Sequence, residues 1–161
     1  MLWLVILVGT VIGATVHCVM SRERGRFVEF YLVYLLVGYY GFAMLLAALV
    51  HLTNPGGIAK LKGWVPSEPF QALYAFALLG MALSSMLSVW KRGAYPVGPA
   101  LAGSVLLLGG AFVHGREVVQ SGVFSWAKDG LEFLFDFVVP VAVLSLAWTY
   151  QRGERRPPTT G

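Results

Sequence analysis

Five long apolar runs constrain this chain more than any other feature of its sequence. A bilayer core of about 30 Å is crossed by roughly 20 apolar residues in a helix. Lipid offers no hydrogen-bond partner to the backbone, so a spanning segment is a helix or part of a closed barrel. Barrel strands alternate apolar and polar residues over about ten positions, and these runs do not alternate. We therefore predict an all-α polytopic membrane helix bundle with five transmembrane helices, at about 1–20, 29–51, 69–90, 95–119 and 130–150.

The composition supports a membrane location and a single domain. Hydrophobic residues make up 57% of the 161 residues and charged residues only 12%, whereas an average soluble domain has about a quarter charged residues. No linker interrupts the sequence, so we predict one membrane domain, 1–161, with a tail at 151–161. The first run has no Lys or Arg before its apolar stretch, which favours a retained helix over a signal peptide.

The distribution of basic residues predicts the orientation of the helices. Eight of the twelve Lys and Arg residues lie in the predicted 1–2 and 3–4 loops and in the tail. Cytoplasmic loops are enriched in basic residues, so we predict an N-terminus outside and a C-terminus in the cytoplasm. The alternative is a four-span protein whose acidic fifth segment, with Glu132 and Asp136, lies along the membrane surface.

Short basic clusters that flank long apolar runs are typical of membrane proteins, in which they set the orientation. This pattern argues against nucleic-acid binding. The expected partner is the lipid bilayer, and a homo-oligomer or a larger membrane complex stays open. Cys18 is the only cysteine, so no intrachain disulfide forms.

The predicted topology gathers polar residues near the outer membrane face. Helices 2 and 4 end there with His51 and His114, and helices 3 and 5 begin there. Residues three or four positions apart share a helix face, so His114 and Glu117 are expected to lie together. The candidate ligand-binding residues are His51, Asn54, Trp64, Gln71, His114, Glu117, Glu132 and Asp136.

Asp136 is the most informative member of this set. At about 1.5 Å per residue it lies roughly 10 Å inside its helix. A charged side chain at the centre of a transmembrane helix costs about 2.5–3.5 kcal/mol on insertion scales. We therefore expect Asp136 to face the bundle and to contact His114 or Gln71. The alternative for the other residues is an ordinary polar interface, with His51 capping helix carbonyls.

Several chemistries remain open for this cluster. A metal ion is one possibility, because imidazole and carboxylate ligands suit zinc or iron, and His51, His114, Glu117 and Asp136 would supply them. A haem held between His51 and His114 is another. The sequence contains no Walker loop, GxSxG or CxxC motif, so the catalytic residues are unknown and we expect a protein other than an enzyme.

The predicted 2–3 loop carries a resemblance to a known family. It contains the sequence from His51 to Ala59, HLTNPGGIA, followed by Gly63-Trp64 and Pro69-Phe70-Gln71. These motifs, with 114–120 and Pro140, resemble a small uncharacterised family of bacterial membrane proteins, catalogued as a domain of unknown function. The likeness covers about two thirds of the chain and implies a multi-pass protein of the cell inner (plasma) membrane.

The same resemblance has one departure and one more distant extension. Members of the family tend to have an acidic residue just after the Phe-Gln pair, and Leu73 stands in that region here. A distant similarity to DoxX-like small membrane proteins, some of them tied to redox chemistry, concerns the fold alone.

Three functional hypotheses follow from these observations. In the first, an outward-facing polar pocket, covered by the 54–69 segment with Trp64 at the interface, binds a small ligand, a metal or a redox cofactor such as haem or quinone. In the second, Asp136 and a histidine form the protonatable pair of a small transporter or proton relay. In the third, the chain is an accessory subunit that packs against a larger membrane complex.

Overall fold

The computed structural model describes residues 2–21, 26–62, 67–122, 124 and 130–154, and all its regular elements are helical. The first five elements are α1 (Leu2–Met20), α2 (Phe27–Thr53), α3 (Pro55–Lys62), α4 (Glu68–Met86, extended by a 3₁₀ turn at Leu87–Val89) and α5 (Val97–Ser121). The last element, α6, runs from residue 131 to 154 and contains a π-helical segment, Leu134–Val138, followed by an α-helix, Val139–Glu154.

Four of these helices, α1, α2, α4 and α5, are long and apolar enough to cross a membrane, by the composition of the described residues. They indicate a membrane protein, as the sequence predicted at this coarser level. The α6 segment is not among the four; its longest α-helical part has 16 residues. The fifth span and the orientation of the bundle therefore remain predictions.

The junction between α2 and α3 is fixed by Asn54 and Pro55. Asn54 ends α2, and its side-chain Oδ1 accepts a hydrogen bond from the backbone N–H of Gly57 at 3.1 Å. Pro55 opens α3, where the missing N–H costs nothing because the first N–H groups of a helix have no intrahelical partner. The end of the second helix was predicted here. The segment that follows forms the eight-residue helix Pro55–Lys62, and its place at the membrane interface stays a prediction.

The long helices pack around a central α2, and those that follow one another along the chain run antiparallel. Contacts join α2 to α1, α4, α5 and α6, and α5 packs on α6. Half of the apolar window of α2 is buried, against 11% for α1, so α1 lies at the edge of the bundle. We call the end at which α2 ends and α4 begins the upper end, and the opposite end the lower end.

A π-helical stretch, Leu35–Ala43, occupies the middle of α2. It contains Gly38, whose missing Cβ makes room for α1: a Cβ there would lie 2.9 Å from Cγ2 of Thr10. Thr10 is buried, and its hydroxyl donates to the carbonyl of Ile6 at 2.7 Å. This close approach docks α1 on the widened part of α2.

The π-helical segment of α6 lies just before Pro140. Proline has no backbone N–H, so the carbonyl four residues earlier loses its ordinary helical partner. A local widening of the helix is one way in which a chain accommodates such a break, and π-helical turns of this kind are frequent at functional sites. Asp136, the deep carboxylate of the sequence analysis, lies within this segment.

Candidate functional site

A cavity of about 170 Å³ lies in the middle of the bundle and is bordered by all five long helical elements. Its wall is mostly apolar and aromatic, and among the described lining residues the carboxylate of Asp136 is the one charged group. The lining residues are Trp3, Tyr39, Tyr40, Ala43, Met44, Ala47, Leu78, Leu107, Phe135 and Asp136.

Asp136 meets His114 at the α5–α6 contact beside this cavity. The Nε2 atom of His114 is 3.5 Å from Oδ2 of Asp136, and the two side chains are only 17% and 19% exposed. The predicted contact between Asp136 and His114 is therefore confirmed. The other ring nitrogen, Nδ1, lies 3.7 Å from Oε2 of Glu117 one helical turn away, so the imidazole stands between two carboxylates.

Gly110 of α5 makes room for the Asp136 carboxylate. A Cβ at this position would lie 2.9 Å from Oδ2 and 3.3 Å from Cγ of Asp136. The preceding residue, Gly109, has nothing within 4 Å of its corresponding Cβ position. The two adjacent glycines thus differ sharply in their surroundings, and only Gly110 is required for the close approach of Asp136.

Tyrosine side chains surround the carboxylate on the α2 and α4 sides. Tyr39 and Tyr74 both interact electrostatically with Asp136. The Tyr40 hydroxyl shares a 2.8 Å hydrogen bond with Oγ of Ser104. Ser104 also lies within 3.4 Å of the Pro140 carbonyl, so these buried groups tie α2, α5 and α6 together below the cavity.

A second polar pair lies nearer the upper end, between α2 and α4. His51 and Gln71 are buried, and Nδ1 of His51 donates to Oε1 of Gln71 at 2.5 Å. The ring of Tyr74 meets that of His51 edge to face, with 5.0 Å between the ring centroids. The amide Nε2 of Gln71 has no hydrogen-bond partner within the described residues. Tyr74 therefore packs on this buried pair.

Two further predicted site residues, Asn54 and Glu117, are not among the described residues that line the cavity. Asn54 is exposed and caps α3, and its ligand contact stays a prediction. Glu117 is 46% exposed and lies beyond His114. Trp64 lies outside the described residues, and so does the side chain of Glu132, although its backbone belongs to α6.

The sequence analysis did not predict the aromatic part of the cavity wall. Trp3 comes from α1, Phe135 from α6, and Tyr39 and Tyr40 from the π-helical stretch of α2. The run Gly38-Tyr39-Tyr40-Gly41 is the one local signal for it, because two tyrosines between glycines are unusual within an apolar span. The contributions of α1 and α6 depend on tertiary packing, which no local pattern encodes.

The metal hypothesis gains no support from this geometry. Among the described side chains, no three His, Cys, Asp or Glu residues come close enough together to hold a metal ion. His51 and His114 contact different helices, with Gln71 as the partner of the first and carboxylates as the partners of the second. Haem ligation by these two histidines stays an untested hypothesis.

The apolar helices indicate a helical membrane protein, and Asp136 borders an aromatic-walled cavity between them. Comparison with known families places it further: the model of a family of unknown function, DUF6790, matches residues 1–156. The chain therefore belongs to this family, as the resemblance to an uncharacterised family predicted. The search of curated proteins gave no match, and the search of solved structures gave none either.

Proposed function

We propose that this protein is a five-span protein of the cell inner (plasma) membrane whose interior cavity binds a small organic cation. The N-terminus and the upper end face outward in this proposal, and the basic lower end faces the cytoplasm. The observation that carries it is the Asp136 carboxylate, which lies on a cavity wall whose other described residues are apolar or aromatic.

The chemistry of the wall favours a cation over other small ligands. Cations are attracted to the faces of Trp, Tyr and Phe rings, and aromatic cages of this kind recognise quaternary ammonium groups. Trp3, Tyr39, Tyr40 and Phe135 supply four such rings. A desolvated carboxylate adds a strong, directional attraction, and a volume of about 170 Å³ restricts the ligand to a small molecule.

His114 positions the carboxylate in this proposal. It holds Oδ2 of Asp136 from the α5 side at 3.5 Å, while the cavity lies on the other side of the carboxylate. It also borders a second, smaller cavity of about 110 Å³ between α5 and α6, together with Phe124 and Phe133. His114 thus borders the smaller cavity, and its partner Asp136 borders the larger one.

Calorimetric titration of the purified protein with choline tests the proposal. The matched control ligand is 3,3-dimethylbutan-1-ol, which has the same shape without the positive charge. We expect choline to bind and the neutral alcohol to bind at least about tenfold more weakly, because a hydrogen bond or contact to a charged group contributes about 1.5–3 kcal/mol. Equal binding of the two compounds, or binding of neither, contradicts the proposal.

A proton relay is the second candidate, favoured by polar groups below the cavity. The Tyr40–Ser104 hydrogen bond continues from the cavity wall towards the lower end. On α4, the buried hydroxyls of Ser85 and Ser88 have no hydrogen-bond partner in the described part of the chain. Proton flux into liposomes loaded with a pH-sensitive dye tests this candidate. A relay predicts flux that Asp136→Asn and Tyr40→Phe each reduce.

A further inference from the structure

A groove of about 600 Å³ lies between α1 and α2, apart from the interior cavity. Its upper part is apolar, with Val5 and Ile6 of α1 facing Val37 and Phe42 of α2. Along α1 it extends from Val5 to His17, which corresponds to about 18 Å at 1.5 Å per residue. Binding sites for small molecules commonly measure about 300–1,000 Å³, so this groove has the size of a ligand site.

The lower end of the groove is polar and basic. His17, Tyr34 and Arg92 line it, and Nδ1 of His17 lies 3.2 Å from the Tyr34 hydroxyl. The Arg92 side chain is 43% exposed, and its Nε lies 3.3 Å from a carboxylate oxygen of Glu29.

Further basic residues give this end a net positive charge. Arg26 binds the same carboxylate at 2.9 Å, and the side chain of Lys91 is exposed next to Arg92. Glu29 therefore offsets only one of three cationic side chains.

We propose that this groove binds one anionic phospholipid from the leaflet at the lower end of the bundle. An acyl chain fills the apolar part along α1, and the phosphate lies against Arg92 and His17. Two features meet in this one groove: an apolar channel about as deep as one leaflet, and a positive charge at the end where a headgroup lies. Basic residues next to a membrane surface attract anionic lipids in this way.

Gly9 allows the apolar part of the groove to be filled without disturbing the fold. It lines the groove, and a Cβ at this position has nothing within 4 Å. Gly9→Leu therefore places a side chain where the acyl chain lies. Gly80→Leu is the matched control, because Gly80 is also an exposed helical glycine with nothing within 4 Å of its Cβ position.

The headgroup contact has a matched pair of variants as well. Arg92→Gln removes a charge that lines the groove. Arg152→Gln removes a charge at the same end of the bundle, but Arg152 stacks on Trp148 of α6, 4.6 Å from the ring centroid, away from the groove. Comparison of the two variants separates a site contact from a general effect of surface charge.

Native mass spectrometry of the delipidated full chain, titrated with phosphatidylglycerol or phosphatidylcholine, tests the proposal. We expect the wild type and Gly80→Leu to bind one phosphatidylglycerol with at least about fivefold preference over phosphatidylcholine, the factor that one basic residue contributes near an anionic surface. Gly9→Leu should lose the bound lipid. Arg92→Gln should lose the preference, and Arg152→Gln should keep it.

The opposite results overturn the proposal. Equal binding of the two lipids by the wild type excludes the headgroup contact, and this measurement needs no variant to fold. Undiminished lipid binding by Gly9→Leu places the lipid elsewhere on the protein. A dimer that dissociates in Gly9→Leu, measured by light scattering, assigns the groove to a second copy of the chain and rejects the lipid.

Discussion

The imidazole of His114 lies 3.5 Å from the carboxylate of Asp136 across the contact between α5 and α6. Without such a partner, a carboxylate at this depth would carry the full cost of leaving water. The second pair, His51 and Gln71, lies between α2 and α4. The predicted polar cluster is thus two separate pairs on two helix contacts, and the aromatic-walled cavity adjoins the first of them.

Replacing Asp136 by Asn is expected to remove cation binding while the protein stays folded. The change deletes the one charge on the cavity wall but keeps the shape of the side chain. We expect the dissociation constant for choline to rise by about tenfold to hundredfold, the range that corresponds to one charged contact. Calorimetry measures the affinity, and the melting temperature in detergent reports on the fold.

Glu68→Gln is the matched control for this variant. Glu68 is an exposed carboxylate in the first turn of α4, at the upper end of the bundle and away from the cavity. It should bind choline like the wild type. Full choline binding by Asp136→Asn would falsify the assignment of Asp136 to the binding site.

The adjacent glycines of α5 provide a finer test of carboxylate position. Gly110→Ala places a methyl group 2.9 Å from Oδ2 of Asp136, so the carboxylate must shift away from α5. Because small misplacements of a binding group have large effects, we expect choline to bind up to about tenfold more weakly.

Gly109→Ala should leave choline binding unchanged, since nothing lies within 4 Å of the added carbon. It should also stabilise the helix slightly, because Gly is about 1 kcal/mol less favourable than Ala inside a helix. Equal affinities of the Gly109 and Gly110 variants would show that the position of the carboxylate does not matter for binding.

The His51–Gln71 hydrogen bond is expected to stabilise the α2–α4 contact. Either His51→Leu or Gln71→Leu leaves the other residue buried without this partner, which costs about 1–3 kcal/mol. In the double variant both polar groups are gone, so its free energy of unfolding should fall by less than the sum of the two single effects. Chemical unfolding in detergent, arranged as a double-mutant cycle, measures the difference. Strict additivity would mean that the two side chains do not interact.

The sequence predicts much of this fold because lipid allows few alternatives. Apolar runs of the right length locate α1, α2, α4 and α5 directly, and the depth of Asp136 in its helix predicts that it needs a polar partner. Antiparallel connections then bring His114 to the same level as Asp136. These inferences rest on the cost of burying charge and on helix geometry, which are local properties.

The sequence does not predict which side chains share one cavity. Trp3 and Phe135 lie more than a hundred residues apart in the sequence. They line the same cavity because of the way in which α1 and α6 pack around α2. The π-helical widening that includes Tyr39 and Tyr40 is also invisible in an apolar run. Asn54 shows a related limit: a polar side chain at a helix end predicts a ligand contact and a helix cap equally well, and the structure shows its hydrogen bond with the N–H group of Gly57.

The topology of α6 decides between five spans and four. In a variant without the native Cys18, single cysteines introduced as Lys60→Cys, Ser121→Cys and Gly153→Cys sample three exposed positions. Lys60 lies in α3 at the upper end, Ser121 ends α5, and Gly153 lies near the end of α6. If α6 crosses the membrane, a membrane-impermeant maleimide should label the first two positions in intact cells and label Gly153→Cys only after the cells are opened.

Because Ser121 and Gly153 flank α6, labelling of both from the same side would place α6 on the membrane surface. Labelling of Gly153→Cys alone in intact cells would instead keep five spans and reverse the orientation, which would turn the upper end of the bundle towards the cytoplasm.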